Sequence, residues 1–400
     1  MCRVEPPLNP RYESLDVWRG VACLLVVIFH STAGYMVTPE VCAVTRSQGG
    51  SWADWALLVT NWGWAGVPLF FVISGYCIAA SADSARRKPQ SGFQFFVRRF
   101  RRIYPPLWAY LAVTALGTAL LFPGAIPGPI QGFEYPLPYP QYLKLGQWIG
   151  TLTLTESWRY HVIEPEQGYM TASLWSLCYE EQFYLIVGII LAVCRRWFFL
   201  VVGVITVFVC LNVFDFSAFF GELINAYRRP LSGFFFDGLW LPFASGVGVY
   251  YQLNYARQRV RWTLDLLLLY TLAWCVLMIG SFSKLSGNVP GYLGIAVAFA
   301  LALKWLHPHD SAIATSRITA PLRFCGRMCY SLYLVHAPIC GVIAWNFYRW
   351  GINTPELALM ITTPTCLTVS TLVSYGFHRL VENRFLNAPV SAKPVAALQN

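Results

Sequence analysis

Residues 15–31 read LDVWRGVACLLVVIFHS, an apolar run of Val, Leu, Ile, Ala and Phe with Arg19 near its start and His30 near its end. Eleven residues on an α-helix turn through about 1100°, three full turns and about 20° more. The two side chains therefore share one face and lie ~16 Å apart along the axis. An ionisable group in lipid costs at least ~2.5–3.5 kcal/mol at the helix centre, and is usually turned toward a partner or a water-filled cavity. A polar stripe on a membrane helix therefore needs a purpose, and the rest of the chain must supply it.

Of the 400 residues, 56% are hydrophobic, 16% aromatic and 12% charged, and the mean hydropathy is +0.49. A water-soluble chain carries about a quarter charged residues, so most of this surface faces lipid. The net charge of +10 does not point to nucleic acid. The basic residues fall in short clusters between apolar runs, which is the pattern of loops at a membrane face. The 12 cysteines are scattered singly, without metal spacing, and read as small core residues rather than a disulfide framework. No metal site is expected. The first apolar run is long and no small-residue cleavage site follows it, so it reads as a retained first span.

Apolar runs of about 20 residues, the length that crosses a bilayer, fall near 16–35, 57–80, 103–122, 172–193, 197–213, 232–251, 263–281, 290–306, 327–347 and 356–378. They predict an all-α, polytopic membrane bundle of about ten helices. Alternating the intervening segments between two sides places 22 Lys and Arg on one side and 7 on the other. By the positive-inside rule both termini are then cytoplasmic. Residues 1–385 read as a single membrane-embedded domain and 386–400 as a short disordered tail. The cytoplasmic loop carries seven basic residues within 86–102; the extracytoplasmic loop, 123–171, is 49 residues long with seven prolines. A proline-rich loop of that length is often functional.

Three more polar positions fall inside predicted spans. In TASLWSLCYEEQFYLIVG (171–188), Glu180 and Tyr184 are four apart and share a face, while Glu181 points elsewhere. Counting the rise from Thr171 puts Glu180 roughly 12–14 Å deep, a level comparable to that of His30. His336, in CYSLYLVHAPI (329–339), falls at about mid-depth. Each has a structural reading: an interhelical hydrogen bond for His30 and for His336, and an ion pair with an arginine for Glu180. The arginines of RRFRRIYPP (98–106) anchor the cytoplasmic face, and guanidinium also suits bidentate phosphate contacts. Together these residues describe a buried site with a base, an acid and basic groups on the cytoplasmic side.

The chain resembles the acyltransferase 3 family of integral membrane O-acyltransferases over nearly its whole length, roughly 11–385. The arginine, ten residues and histidine of that family's first span match Arg19 and His30. GVPLFFVISGY (66–76) resembles its Phe-rich, Ser-Gly second span, and FQFFVRRFRRIYP (93–105) its Arg-rich element. LWSLCYEEQFYL (174–185) matches a Trp-Ser-Leu-x-x-Glu-x-x-Phe-Tyr element that places Glu180 at the acidic position; GRMCYSLYLVHAPI (326–339) matches the late Ser-x-Tyr-Leu-x-His span and selects His336. LVENRF (380–385) departs, with Asn383 and Arg384 where the family has proline soon after Val-Glu. The resemblance implies a bacterial inner-membrane enzyme of polysaccharide modification. It would move an acyl group, acetyl most often, from cytoplasmic acyl-CoA to a hydroxyl of an extracytoplasmic glycan or glycolipid, with no bound cofactor. It implies His30 as base or acyl carrier, Arg19 and Glu180 as further catalytic residues, and Arg98, Arg99 and Arg102 on the donor. Trp175, Ser176, Tyr184 and His336 fall to the acceptor or to packing.

Three rivals are weaker. A transporter or lipid-linked sugar flippase would show broken helices in two matching halves, and no such pairing is visible. The other large class of membrane O-acyltransferases places its histidine late in the chain. A non-catalytic sensor on the same scaffold would have lost the polar stripe, which is intact here.

Overall fold

The computed structural model describes residues 12–32, 49–87, 92–121, 140, 143–163, 168–171, 173–213, 233–281 and 289–386. The tail beyond residue 386 and most of the proline-rich stretch 123–142 lie outside the described residues. Among the described residues every regular element is helical: α1 (Leu15–Thr32), α2 (Trp52–Thr60), α3 (Gly66–Arg87), α4 (Gly92–Leu121), α5 (Leu145–Thr153), α6 (Glu156–Val162), α7 (Leu174–Val193), α8 (Phe198–Val213), α9 (Trp240–Asn254), α10 (Gln258–Ser281), α11 (Val289–Leu306), α12 (Asp310–Thr315), α13 (Ala320–Arg327) and α14 (Cys329–Arg349). A turn at Pro355–Leu357 and a π-helical turn at Ala358–Thr362 lead into α15 (Thr363–Leu380).

Among the described residues, eight helical segments are long and apolar enough to cross a membrane, nine if α13 and α14, bent by 85° at their junction, count as one span. The remaining predicted span, 232–251, is α9, of 15 residues, shorter than the ~20 a straight crossing needs. It is held by packing, because Trp240, Phe243, Val249 and Tyr250 are wholly or almost wholly buried between α3, α8 and α11. Apolar side chains on the outer helices face outward, among them Leu266, Leu267, Tyr270 and Leu277 of α10 and Val204 and Val207 of α8. Such a surface suits lipid contact.

Two departures from the sequence-based spans matter for the site. The Arg-rich stretch predicted as loop is helix: α4 begins at Gly92, so Arg98, Arg99 and Arg102 have fixed positions on one cylinder. Once past the residues around Pro89, FQFFVRRFRRI contains nothing that breaks a helix. Inside the predicted outer loop, α5 and α6 fold back onto the bundle. There Arg159 pairs with Glu156 through Nε at 2.7 Å, and the Gly168 amide donates to the same carboxylate at 2.8 Å.

Helix α1 runs through the middle, packed by α3, α13, α14 and α15. Small residues permit the closest crossings. A Cβ on Gly20 would lie 1.9 Å from the Leu322 carbonyl oxygen, and one on Gly326 would lie 1.6 Å from that of Asp16. The amino end of α1 is pinned as well. Asp310 accepts from the Glu13 amide at 2.6 Å and the Ser14 amide at 2.9 Å, satisfying donors that a helix start leaves open.

Candidate active site

The stripe on α1 meets different neighbours at its two ends. At the amino-terminal end, Arg19 donates through Nη1 to Asp16 at 2.6 Å and through Nη2 to Cys77 Sγ on α3 at 2.9 Å. At the other end, the His30 ring stands against that of His336 on α14, with centroids 5.0 Å apart and planes inclined by 56°. The sequence placed both histidines in spans but gave no reason to pair them. The pairing is tertiary, since α1 and α14 pack along their length.

His336 is wholly buried. Its Nδ1 lies 3.0 Å from the Leu332 carbonyl oxygen, and its ring is 5.6 Å from that of Tyr333. The Tyr333 hydroxyl donates to the Ser173 carbonyl at 2.7 Å and is hydrogen-bonded to Ser176 Oγ. Ser176 thus ties the start of α7 to α14, one turn from His336. Trp175 points elsewhere, edge-on to Phe71, Tyr179 and Tyr292, so its contacts are those of a packing residue.

Glu180 sits lower than the sequence suggested. Its Oε1 accepts from Ser74 on α3 at 2.8 Å and from the Tyr184 hydroxyl. Helix α7 runs antiparallel to α14, as shown by the pairing of Ser176 with Tyr333 and the electrostatic reach of Glu180 to Tyr330. From that register, Glu180 lies about 10 Å along the axis from the level of His336. The depth count assumed that the span starts near Thr171 at the membrane surface. In the structure the first turn of α7 already lies one turn from the histidine level.

The position of Glu180 puts it with the arginines. The Arg99 guanidinium lies 4.9 Å from the centre of the Tyr184 ring and 5.7 Å from that of Phe95, and its Nη2 donates to Ser81 at 3.3 Å. Arg99 is within electrostatic reach of Arg102, Cys77 and Glu180. Cys329 is similarly placed with respect to both Arg19 and Arg102. Arg19, Arg99 and Arg102 therefore belong to one basic neighbourhood, converging from α1 and α4 around Cys77 and Cys329. Arg98, one residue before Arg99, is turned about 100° away around α4.

Several contributors were not singled out in the sequence. Ser74 and Cys77 belong to the SGYC run of α3, which also carries Gly75 against the Phe243 carbonyl of α9. Glu382, the acidic residue of LVENRF, is buried. It accepts from Ser331 Oγ at 2.5 Å and the Ser331 amide at 3.3 Å, and lies 2.8 Å from His378 Nδ1. It fixes the first turn of α14, and with it the register of Tyr333 and His336. Beside it an open groove of about 290 Å³ is lined by Phe324, Arg327, Met328, Tyr375, His378, Arg379 and Asn383, at the Arg19 end of the bundle.

Residues 12–379 match the acyltransferase domain profile of the acyltransferase 3 family. The chain belongs to that family. An O-acetyltransferase OatA of Staphylococcus aureus is 25% identical over 413 aligned residues, covering 98% of this chain and 59% of that protein. A peptidoglycan O-acetyltransferase OatA of Listeria monocytogenes is 24% identical over 355, covering 82% of this chain and 49% of its own. Nodulation protein 10 of Rhizobium leguminosarum bv. viciae is 35% identical over a 152-residue stretch. The chain thus spans about half to three-fifths of the two acetyltransferases it matches. No solved structure gives a significant match.

Proposed function

We propose that the chain is a multi-pass inner-membrane O-acyltransferase that carries an acyl group, acetyl by analogy with the two named relatives, from acyl-CoA to a hydroxyl of a glycan. The observation that supports this most directly is the track itself. Guanidinium groups converge at one end of the central helix, and paired imidazoles stand ~16 Å along it. Guanidinium binds phosphate through a planar fork, so the CoA phosphates rest among Arg19, Arg99 and Arg102. Arg327 and Arg379 of the groove offer further basic groups to the nucleotide end. Glu180, with Ser74 and Tyr184, holds the floor of this site around Arg99. The extended pantetheine arm then brings the thioester up to His30.

At His30 the acceptor hydroxyl, arriving from the extracytoplasmic side, loses its proton to the imidazole as its oxygen attacks the thioester carbonyl. The new C–O bond replaces the C–S bond, and the departing thiolate takes the proton back from His30. The products are the ester and free CoA thiol. Histidine suits this double duty because it exchanges protons near neutral pH. The outer segment 123–171, which includes α5 and α6, is where the acceptor is chosen.

The test is transfer of radiolabelled acetyl from acetyl-CoA to glycan fragments by the purified protein in nanodiscs, run beside His30→Ala. The expected result is label on the glycan for the parent protein and none above background for the variant. Movement of a lipid-linked sugar without donor, or full transfer by His30→Ala, overturns the proposal.

A further inference from the structure

Resting on that reading of His30 as base, we infer that His336 is its positioning partner: the Nε2 of His336 receives the second N–H of His30 when His30 takes the hydroxyl proton. The Leu332 carbonyl, 3.0 Å from Nδ1, can only accept a hydrogen bond. Nδ1 therefore carries the hydrogen, and in a neutral imidazole the lone pair is then left on Nε2. The His336 tautomer is set by its own helix.

That lone pair is itself unusual. Nε2 is buried and, among the described residues, meets no hydrogen-bond partner, although buried polar atoms are nearly always paired. The ring standing against it is His30, at a centroid distance of 5.0 Å. At that separation a nitrogen of each ring comes within hydrogen-bonding reach when the edges turn together. A neutral acceptor bonds more strongly to an imidazolium than to an imidazole. The contact therefore strengthens as the hydroxyl proton arrives, which is the condition for an interaction to lower the barrier rather than only to tighten binding.

The proton balance is simple. The hydroxyl proton goes to one nitrogen of His30, while the other N–H stays on His30 and points at His336. The thiolate takes the first proton back, and both rings end neutral. The orienting role that a carboxylate plays in catalytic triads falls here to an imidazole. Glu180 is held by Ser74 and Tyr184, about 10 Å inward.

The experiment compares His336→Leu, His336→Asn and His336→Gln in nanodiscs, with thermal unfolding measured on each. Gln can place an amide oxygen near the position of Nε2; Leu and Asn cannot. Leu and Asn are expected to lose about 10- to 100-fold in kcat, the loss of one hydrogen bond to a charged ring, with donor and acceptor KM within about twofold, and Gln to recover most of that loss. Wild-type kcat in the Leu variant overturns the inference. So does an equal loss in all three with unchanged unfolding, which marks a packing role. Should the Leu variant fail to fold, the difference between Asn and Gln decides. An inactive His30→Ala beside a fully active His336→Leu removes this inference alone, whereas an active His30→Ala removes the reading it rests on.

Discussion

Changing Arg19 to Lys keeps the charge and removes the fork. In the structure the two terminal nitrogens of Arg19 diverge to Asp16 at 2.6 Å and Cys77 at 2.9 Å, which locks the guanidinium plane on the face of α1 that leads to His30. An arginine has five N–H groups in a rigid array, and these contacts take two. An ammonium is a point donor on a flexible stem and lacks the planar array that presents paired N–H groups to a phosphate. A donor phosphate bridged by the fork then loses one charge-assisted hydrogen bond, worth about 1.5–3 kcal/mol. At 1.4 kcal/mol per tenfold, donor kcat/KM is expected to fall by about 10- to 100-fold, carried by KM. Stability is expected to change little. The Asp16 carboxylate is 38% exposed on its side chain, and such partly exposed pairs contribute about 0–1 kcal/mol. The assay is initial-rate acyl transfer in nanodiscs with acetyl-CoA varied at saturating acceptor, repeated with acceptor varied. An unchanged donor KM and kcat, or a rise in acceptor KM with donor KM constant, refutes the placement of the donor at this end of α1.

Other perturbations follow from the same structure. Gly326→Val places a side chain against the Asp16 carbonyl, 1.6 Å from the ideal Cβ. Overpacking of this kind costs about 1–3 kcal/mol or more, so a lower unfolding midpoint in detergent and parallel loss of activity are expected; wild-type values of both count against the close crossing of α13 and α1. Arg159→Leu leaves Glu156, which is wholly buried, without its main partner. Breaking a buried pair costs about 3–5 kcal/mol, and thermal unfolding should show a clear drop both for it and for Glu156→Gln, which leaves the buried Arg159 guanidinium without the Glu156 counter-charge. Glu382→Ala strips the Ser331 hydroxyl and amide of their acceptor, at about 1–3 kcal/mol for each buried donor left unsatisfied. Reduced stability together with reduced kcat is expected, because the first turn of α14 sets the position of His336. The double change Arg327→Glu and Arg379→Glu in the open groove should raise donor KM with kcat preserved; equal donor KM in titrations of the initial rate removes the groove from the donor path.

Much of this protein is legible along the chain. Apolar runs of bilayer length can only be satisfied as helices, because lipid offers the backbone no hydrogen bonds. Hence LDVWRGVACLLVVIFHS declares both a span and, by its 3.6-residue period, a stripe that joins Arg19 to His30. The same rule made α9 visible even though its helix is short. What the chain did not declare was the company each polar group keeps. Counting rise from an assumed surface gives Glu180 a depth comparable to that of His30, but depth along one helix says nothing about the register of its neighbours. Only packing against α14, through Ser176 and Tyr333, lowers Glu180 to the arginines. Likewise His30 and His336 are about three hundred positions apart in the chain, and nothing local couples them. Their contact exists because glycines let α13 lie tight on α1 while Glu382 fixes the first turn of α14. Periodicity is a property of one helix and is written in its own residues; proximity is a property of two helices and is decided by the side chains where they cross.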